Sequence, residues 1–209
     1  SGSARSGSFG ARMSGSGRID QPFNTTPGQT YYVDAWVRID QQLAAPTWGG
    51  VRVQIVNANW TQLATSAYLN TANSPVGQWT RLSFSFVANS AQSRIVYQNF
   101  SNGQFNASAD DFVVSTSPIP GSGQPTATPA PTATATATVT PGPSPTATAS
   151  ATPTPLPTAT ATPGPLTNAL TGGGFEAGNL SDWIDNGGIT VVSGSARSGS
   201  FGARMSGSG

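Results

Sequence analysis

The first seventeen residues of the chain, SGSARSGSFGARMSGSG, occur again without a change as residues 193–209. Seventeen identical positions do not arise by chance, so the 209 residues contain one full period of 192 residues and the start of another. We therefore interpret the chain as part of a head-to-tail repeat array that is cut inside a module. A segment of such an array can lack its own leader or anchor, so the absence of both is uninformative.

A proline- and threonine-rich segment interrupts the chain at residues 118–165. It contains 13 of the 17 prolines and 14 threonines, and it has no charged or aromatic residue. So little apolar surface cannot offset the entropy of folding, which predicts an extended, polyproline-II-like linker. The threonine density predicts O-glycosylation, with a bare flexible tether as the alternative. The threonines expected to carry sugar are Thr126, Thr128, Thr132, Thr134, Thr136, Thr138, Thr140, Thr146, Thr148, Thr152, Thr154, Thr158, Thr160 and Thr162.

The composition removes most kinds of catalytic site. The chain has 9 Arg and 8 acidic residues, but no Lys, His or Cys. This excludes Ser-His-Asp triads, cysteine nucleophiles, disulfides and the usual zinc sites. The net charge of +1 predicts no nucleic-acid partner, and no run of 18 apolar residues is present that would predict a membrane span.

The acidic residues do not suggest a glycosidase either. Such an enzyme needs two carboxylates about 5–9.5 Å apart. Asp110 and Asp111 are expected to point to opposite faces of a strand, and Asp34 and Asp40 are expected about 20 Å apart. We therefore predict that the chain is not an enzyme.

Joined across the repeat and counted once, residues 166–192 and 1–117 make a module of 144 residues, which is enough for one substantial core. Residues 1–117 are predicted to form most of a β-sandwich. Residues 118–165 are the linker, and residues 166–209 are predicted to supply the N-terminal strands of the next, or a complementing, copy of the module.

Alternation of apolar and polar side chains predicts strands throughout the module. The odd-numbered positions of residues 31–40 are apolar or aromatic and share one face, and residues 51–55 and 81–86 alternate in the same way. Turn signals separate these runs, and no helical spacing approaches 10 residues. The sequence therefore predicts an all-β fold, an antiparallel β-sandwich of the jelly-roll type.

Short motifs follow one another in order when the sequence is read across the repeat junction. They are GGFEAG (173–178), SDW (181–183), ARSGSFGAR (196–204), IDQPFNTTPGQTYYVDAWVRID (19–40), QWTRLSFSF (78–86) and ADDFVV (109–114). This series resembles the carbohydrate-binding modules of the family 4, 9, 16 and 22 group, which are galactose-binding-like jelly rolls. The resemblance covers the module and not the linker. The opening motif of the family lies at the C-terminal end of this chain.

The resemblance implies a structural calcium ion where the first and last strands of the module meet. The matching side chains are Glu176, Asp110 and Asp111, with backbone carbonyls near Ser198 and Gly199. Oxygen ligands suit calcium, and an ion that joins both ends of the module would stabilise a chain without disulfides. Only one of the two adjacent aspartates is expected to be a direct ligand, since neighbours in a strand face opposite sides. Solvated carboxylates are the alternative.

The resemblance also implies a glycan site on the polar face around Trp36. An aromatic ring can stack on a pyranose, and planar polar groups can bind its hydroxyls. The residues expected to act with Trp36 are Tyr32, Asp34, Arg38, Arg52, Gln54, Arg81 and Gln98, with Trp48, Trp60 and Tyr68 at the rim and Trp79 and Trp183 in packing roles. The alternative is a face that packs on a neighbouring repeat or holds a proline-rich linker.

These features together predict a non-catalytic extracellular or cell-surface structural protein. Its β-sandwich modules, joined by O-glycosylated linkers, would form a fibre or stalk. Its partners would be other copies of itself, joined head to tail or by a strand supplied from a neighbouring chain. The alternative is a carbohydrate-binding module appended to a glycoside hydrolase or an adhesin, with polysaccharide as its partner. The two functions are compatible.

Overall fold

The computed structural model describes residues 9–14, 17–42, 48–101, 105–123, 166–187, 189–193 and 202–203. The linker threonines from Thr126 to Thr162 and the carbonyls near Ser198 and Gly199 lie outside these residues. The described part of the chain is all-β, and two antiparallel sheets pack against each other. The predicted β-sandwich is therefore confirmed. No described helix is long and apolar enough to cross a membrane.

Eleven strands are described, numbered in chain order. They are β1 (Phe9–Ser14), β2 (Gly17–Asn24), β3 (Thr30–Gln42), β4 (Gly49–Asn57), β5 (Gln62–Thr65), β6 (Trp79–Val87), β7 (Gln92–Ser101), β8 (Phe105–Ser115), β9 (Ile184–Asp185), β10 (Ile189–Ser193) and β11 (Gly202–Ala203). One sheet has six strands in the order β11-β10-β1-β8-β3-β6. The other has five strands in the order β5-β4-β7-β2-β9.

The core lies between the two sheets and follows the predicted alternation. The odd-numbered side chains of β3 from Val33 to Ile39 are fully buried, and so are Val51, Val53 and Ile55 of β4. Burial of these apolar side chains supplies the main favourable free energy of a small β-sandwich. The even-numbered side chains of β3 lie on the outward face of the six-stranded sheet, as expected for a period of two.

Residues that follow the linker complete the same core. The rings of Phe112 and Trp183 lie 5.2 Å apart, and those of Phe175 and Trp183 lie 5.3 Å apart. The predicted packing role of Trp183 is therefore confirmed. Gly173 accepts a hydrogen bond from the Phe112 amide, and a Cβ atom on Gly173 would lie 2.3 Å from the Phe112 carbonyl oxygen. Only glycine allows this close approach of two backbones.

The duplicated segment supplies two strands that flank β10. β1 lies between β10 and β8, and β11 pairs with the other edge of β10. Both copies use the same register, because Ala11 and its equivalent Ala203 are each opposite Val191. The same strand of the sheet therefore binds both copies of one sequence, one on each side.

A bulge interrupts β8 where the predicted calcium ligands lie. Trp36 is opposite Asp110 and Asp34 is opposite Val113, so two residues of β8 face a single residue of β3. Asp111 has a φ of +52°, which is uncommon for a residue with a side chain. The regular alternation expected for Asp110 and Asp111 therefore does not hold at this point.

Candidate functional site

Trp36 lies on the outward face of the six-stranded sheet, where a cavity of about 470 Å³ opens. It is opposite Arg81 on β6 and Asp110 on β8. Asp34, Trp36 and Arg81 line the cavity together with Pro120 and Asn168. We call these five residues the linker clasp. The structure thus brings together three residues of the predicted glycan site.

Arg81 uses every nitrogen of its guanidinium within the linker clasp. Its Nε donates to both carboxylate oxygens of Asp34, at 2.8 and 3.0 Å. Its Nη2 donates to the Pro120 carbonyl at 3.0 Å, and its Nη1 donates to the Gly121 carbonyl. Its Cζ lies 5.8 Å from the centre of the Trp36 ring. The chain itself thus takes a donor from each nitrogen of Arg81, which is three of its five N–H groups.

The two ends of the linker meet at this clasp. Residues 118–123, which composition assigns to the linker, pack on the sandwich and bury Ile119. On the returning side, Asn168 accepts a hydrogen bond from the Val114 amide and donates one to the Phe112 carbonyl, both at 2.9 Å. The chain therefore leaves and re-enters the module at the same place.

Three residues of the predicted glycan site lie elsewhere. Arg52 and Gln54 are on β4 and Gln98 is on β7, and both strands belong to the five-stranded sheet. The expectation that they neighbour Trp36 is therefore wrong. Alternation within a strand assigns side chains to a face, but it does not say which sheet the strand joins.

The two remaining predicted residues are on β3 with Trp36. Tyr32 is buried, opposite Ser85 and Ser115. Arg38 pairs with Asp40 at 2.7 Å, and its Cζ lies 4.8 Å from the centre of the Trp79 ring. Arg38 thus holds Trp79 in place and is itself neutralised by a neighbour on the same strand.

The outward face of the five-stranded sheet carries a second cluster. We define the arginine–aromatic face by Arg18, Asp20, Arg52, Trp60, Tyr68, Arg94 and Gln98. Arg18, Gln98 and Arg52 form one row across three strands. The row beside it, formed by Ile19, Tyr97 and Val53, is fully buried in the core, so the polar row faces away from the core.

Trp60 is held over this face by a tight turn after β4. The side-chain oxygen of Asn57 accepts hydrogen bonds from the amides of Asn59 at 3.0 Å and Thr61 at 2.9 Å. Trp60 itself has a φ of +62°, a conformation that costs free energy in a residue with a large side chain. Its ring is 44% exposed. A strained, exposed tryptophan on a well-bonded turn is typical of a binding surface.

Two arginines contact the Trp60 ring and share one carboxylate. The Cζ atoms of Arg18 and Arg94 lie 4.5 and 5.3 Å from the ring centre. Asp20 is buried beneath them, 2.7 Å from Arg94 Nη1 and 3.7 Å from Arg18 Nε, and it accepts a third contact from Asn186 at 2.8 Å. Within the described part of the chain, the Nε atoms of Arg18 and Arg94 have no hydrogen-bond partner.

Arg52 forms the other half of the face. Its Cζ lies 5.0 Å from the centre of the Tyr68 ring. Gln98, with its amide oxygen turned toward Arg52, accepts hydrogen bonds from Nη2 and Nε at 2.8 and 2.9 Å. Gln54 lies two positions further along β4 on the same face, opposite Val96 and Thr65. The face thus presents planar polar groups beside two aromatic rings.

Sequence reasoning placed Trp60 and Tyr68 only at a rim and missed Arg18, Asp20 and Arg94. A signal was present: Arg18 and Asp20 flank the inward Ile19, and Arg94 flanks the inward Ile95, in runs that already read as strands. Applying the alternation rule to the polar positions of these strands would have found them.

The structure brings the predicted calcium ligands into one region. A Cβ atom on Gly174 would lie 4.0 Å from Asp110 Oδ1 and 3.7 Å from Glu176 Cγ. Burial raises the pKa of Glu176, and the charge of Asp111 raises it further. The oxygen donors are of the type that calcium binds, but no three acidic side chains in the described ranges are arranged to hold a metal ion. Calcium stays a prediction.

Comparison with known proteins does not assign the chain to a family. No family model matches the sequence, and no curated protein matches it. The function is therefore inferred from the two outward faces of the sandwich.

Proposed function

We propose that this chain is a non-catalytic, extracellular module that binds carbohydrate through the arginine–aromatic face. One observation supports this most directly: the exposed side chain of Trp60 lies against the partly exposed guanidinium groups of Arg18 and Arg94. An exposed aromatic ring beside guanidinium groups that solvent can reach is a surface suited to a ligand with an apolar side and polar substituents.

The chemistry of the face suits a sugar. The flat, apolar side of a pyranose packs on an aromatic ring, and its hydroxyls pair with planar guanidinium and amide groups. Trp60 and Tyr68 supply rings, and Arg52 and Gln98 supply polar groups in fixed positions. The resemblance of the motif series to carbohydrate-binding modules supports the same class of ligand, and the Pro/Thr-rich linker supports an extracellular location.

The central carboxylate of the face is unsuited to catalysis. Asp20 is 1% exposed and is held by Arg94, Arg18 and Asn186. A general acid or a nucleophile must reach the substrate, and a glycosidase needs a second carboxylate at about 5–9.5 Å. Asp20 acts instead as the counter-charge that positions the two arginines.

A pair of tryptophan variants tests this function. The chain is incubated with a panel of insoluble polysaccharides, and retention is compared for the wild type, Trp60→Ala and Trp36→Ala. We expect Trp60→Ala to lose retention and Trp36→Ala to keep it, because Trp36 belongs to the linker clasp. Failure of the wild type to bind any polysaccharide would reject the proposal. Loss of binding in Trp36→Ala alone would show that the binding site is on the six-stranded sheet.

A second candidate function is a fibre or stalk of repeated modules. The observation that favours it is the shared register of β1 and β11 on β10. A position between β10 and β8 that fits the repeated sequence can be filled by a strand from the same chain or from a neighbouring copy. O-glycosylated linkers of residues 118–165 would then keep the modules apart.

Because the chain lacks cysteine, engineered disulfides can detect a strand that passes between chains. Ala11 and Ala109 are directly opposite each other on β1 and β8. Two proteins, Ala11→Cys and Ala109→Cys, are refolded as a mixture at high concentration and run on a non-reducing gel. A disulfide-linked heterodimer supports strand exchange. An Ala11→Cys and Val76→Cys mixture is the control for random surface disulfides, since Val76 is exposed. Equal yields in both mixtures would reject exchange.

A further inference from the structure

We propose that the carbohydrate bound at the arginine–aromatic face is an acidic polysaccharide, one that carries carboxylate or sulfate groups. This inference rests on the proposed function and names its substrate class. The neutral glycans that an aromatic surface alone would bind do not account for the charge of this face.

The first argument is the ratio of guanidinium to carboxylate groups. On the six-stranded sheet Arg81 pairs with Asp34 and Arg38 pairs with Asp40. On the five-stranded sheet Arg18 and Arg94 share the single carboxylate of Asp20. One positive charge of this pair is therefore left to be balanced by another anion.

The surroundings of Asp20 strengthen this difference. Asn186 Nδ2 donates to the same carboxylate at 2.8 Å, so Asp20 has three contacts, and the Arg18 Nε at 3.7 Å is the most distant of them. Asp185 lies on the adjacent β9, and its Oδ1 accepts a hydrogen bond from the Gly187 amide. Within the described residues, Arg18 and Arg94 form ion pairs with Asp20 and not with Asp185.

The side chains of the two arginines are also accessible to a ligand. The side chains of Arg18 and Arg94 are 37% and 21% exposed, so an anion can reach them from solvent. A carboxylate or sulfate accepts two parallel hydrogen bonds from a guanidinium, and such bonds are roughly twice as strong as neutral ones. An anion on the exposed part of either guanidinium would balance the surplus charge, whereas a neutral hydroxyl would not.

The third argument is the apolar surface beside these donors. The Trp60 ring is 44% exposed, and so is Ile184, which is opposite Asp20 on β9. A sugar ring can pack on this apolar surface while its acidic substituent points to Arg18 or Arg94. The face therefore fits a sugar that is apolar on one side and anionic at its edge.

The test uses polymers that differ only in charge. Binding of the full chain to polygalacturonate is compared with binding to fully methyl-esterified polygalacturonate, and dextran sulfate is compared with dextran. We expect about tenfold or stronger preference for a charged member of a pair, reduced by salt at about 0.5 M. The two pairs distinguish carboxylate from sulfate recognition.

Matched variants locate the effect. Arg18→Gln should remove most of the preference for the charged polymer, and Arg38→Gln, on the opposite sheet, should leave it unchanged. Equal binding of charged and neutral members would overturn the inference while leaving carbohydrate binding intact. No binding to either member, or to any neutral glycan, would reject the proposed function as well. Equally tight binding of duplex DNA would show a general attraction to polyanions and would also overturn the inference.

Discussion

Arginine stacks on tryptophan on both outward faces of the sandwich, but the two faces use the guanidinium differently. In the linker clasp, each nitrogen of Arg81 donates to the chain itself, to Asp34 or to the carbonyls that begin the linker. On the arginine–aromatic face, Arg18 and Arg94 share one carboxylate and leave Nε donors unused. The same residue types thus stabilise the fold in the linker clasp and form the proposed binding surface on the arginine–aromatic face.

The comparison teaches that residue type alone does not identify a binding site. What distinguishes the two faces is how many donors the chain already satisfies. Substitutions in the linker clasp should therefore lower stability and leave binding unchanged. Substitutions on the arginine–aromatic face should lower binding, and they should also lower stability where they remove a partner of the buried Asp20 or a hydrogen bond of the Trp60 turn.

The largest expected effect is on Arg81. Arg81→Ala leaves the buried Asp34 without its cation and removes the donors to Pro120 and Gly121. Breaking a buried ion pair costs about 3 kcal/mol of unfolding free energy. Urea denaturation measures this loss, and polysaccharide retention of the folded variant should equal that of the wild type. Adding Asp34→Asn should recover part of the stability. A loss below about 1 kcal/mol of unfolding free energy would show that the linker clasp does not stabilise the fold.

A smaller loss of stability is expected at Asn168, where the chain re-enters the module after the linker. Asn168→Ala removes hydrogen bonds to the Phe112 carbonyl and the Val114 amide. Leaving these groups without partners should cost about 2 kcal/mol, again without a change in binding. Limited proteolysis measured in parallel should show faster cleavage near residues 118–123 and 166–169. Unchanged stability and unchanged cleavage would contradict a joint anchor for the two linker ends.

On the other face, Asn57 tests how Trp60 is presented. Asn57→Ala removes the oxygen that accepts the Asn59 and Thr61 amides, so the turn should loosen. We expect stability to fall by about 1 kcal/mol and polysaccharide affinity to fall several-fold. Asn57→Asp keeps an acceptor at the same place and should restore affinity. Failure of this rescue would mean that the turn does not position Trp60.

The smallest effect concerns the pH dependence contributed by Glu176, beside the clasp cavity. Its pKa is raised in the folded chain by burial and by Asp111, so the folded state holds this proton more tightly than the unfolded state. The stabilising contribution is therefore complete below the ordinary carboxyl pKa of 4.5 and is lost as the pH rises through the folded value.

Glu176→Gln should remove that loss. In the presence of a chelator, the variant should melt slightly higher than the wild type at about pH 7, and the difference should vanish in acid. Added calcium should reverse the order if Glu176 is a ligand, because an ion favours the charged carboxylate. A variant that melts lower than the wild type in chelator at neutral pH would contradict the direction of the shift.

The fold could be predicted from the sequence because apolar and polar side chains alternate along a half-buried strand. Positions such as Val33 and Val53 were assigned to the core from alternation alone, and both are fully buried. The match of residues 193–209 to residues 1–17 indicated one strand position for the repeated sequence, but strands from both copies pair with β10, one on each side.

The site was readable only in part, for two physical reasons. Alternation places Trp36 and Arg52 on outward faces but carries no information on which strands are neighbours, so residues of two opposite sheets were grouped as one site. The use of Arg81 by the linker depends on a contact between residues 39 positions or more apart, which no local pattern reports. The bulge at Asp111 was also missed, since no glycine marks its positive φ.

Binding at the arginine–aromatic face can be tested by following the side-chain N–H signals of the five tryptophans by nuclear magnetic resonance. The chain is titrated with soluble fragments of a polysaccharide that it retains. We expect the Trp60 signal to shift with the ligand concentration and those of Trp36, Trp79 and Trp183 to stay in place. A shift of the Trp36 signal with Trp60 unmoved would place the glycan in the linker clasp and rule out binding at the arginine–aromatic face.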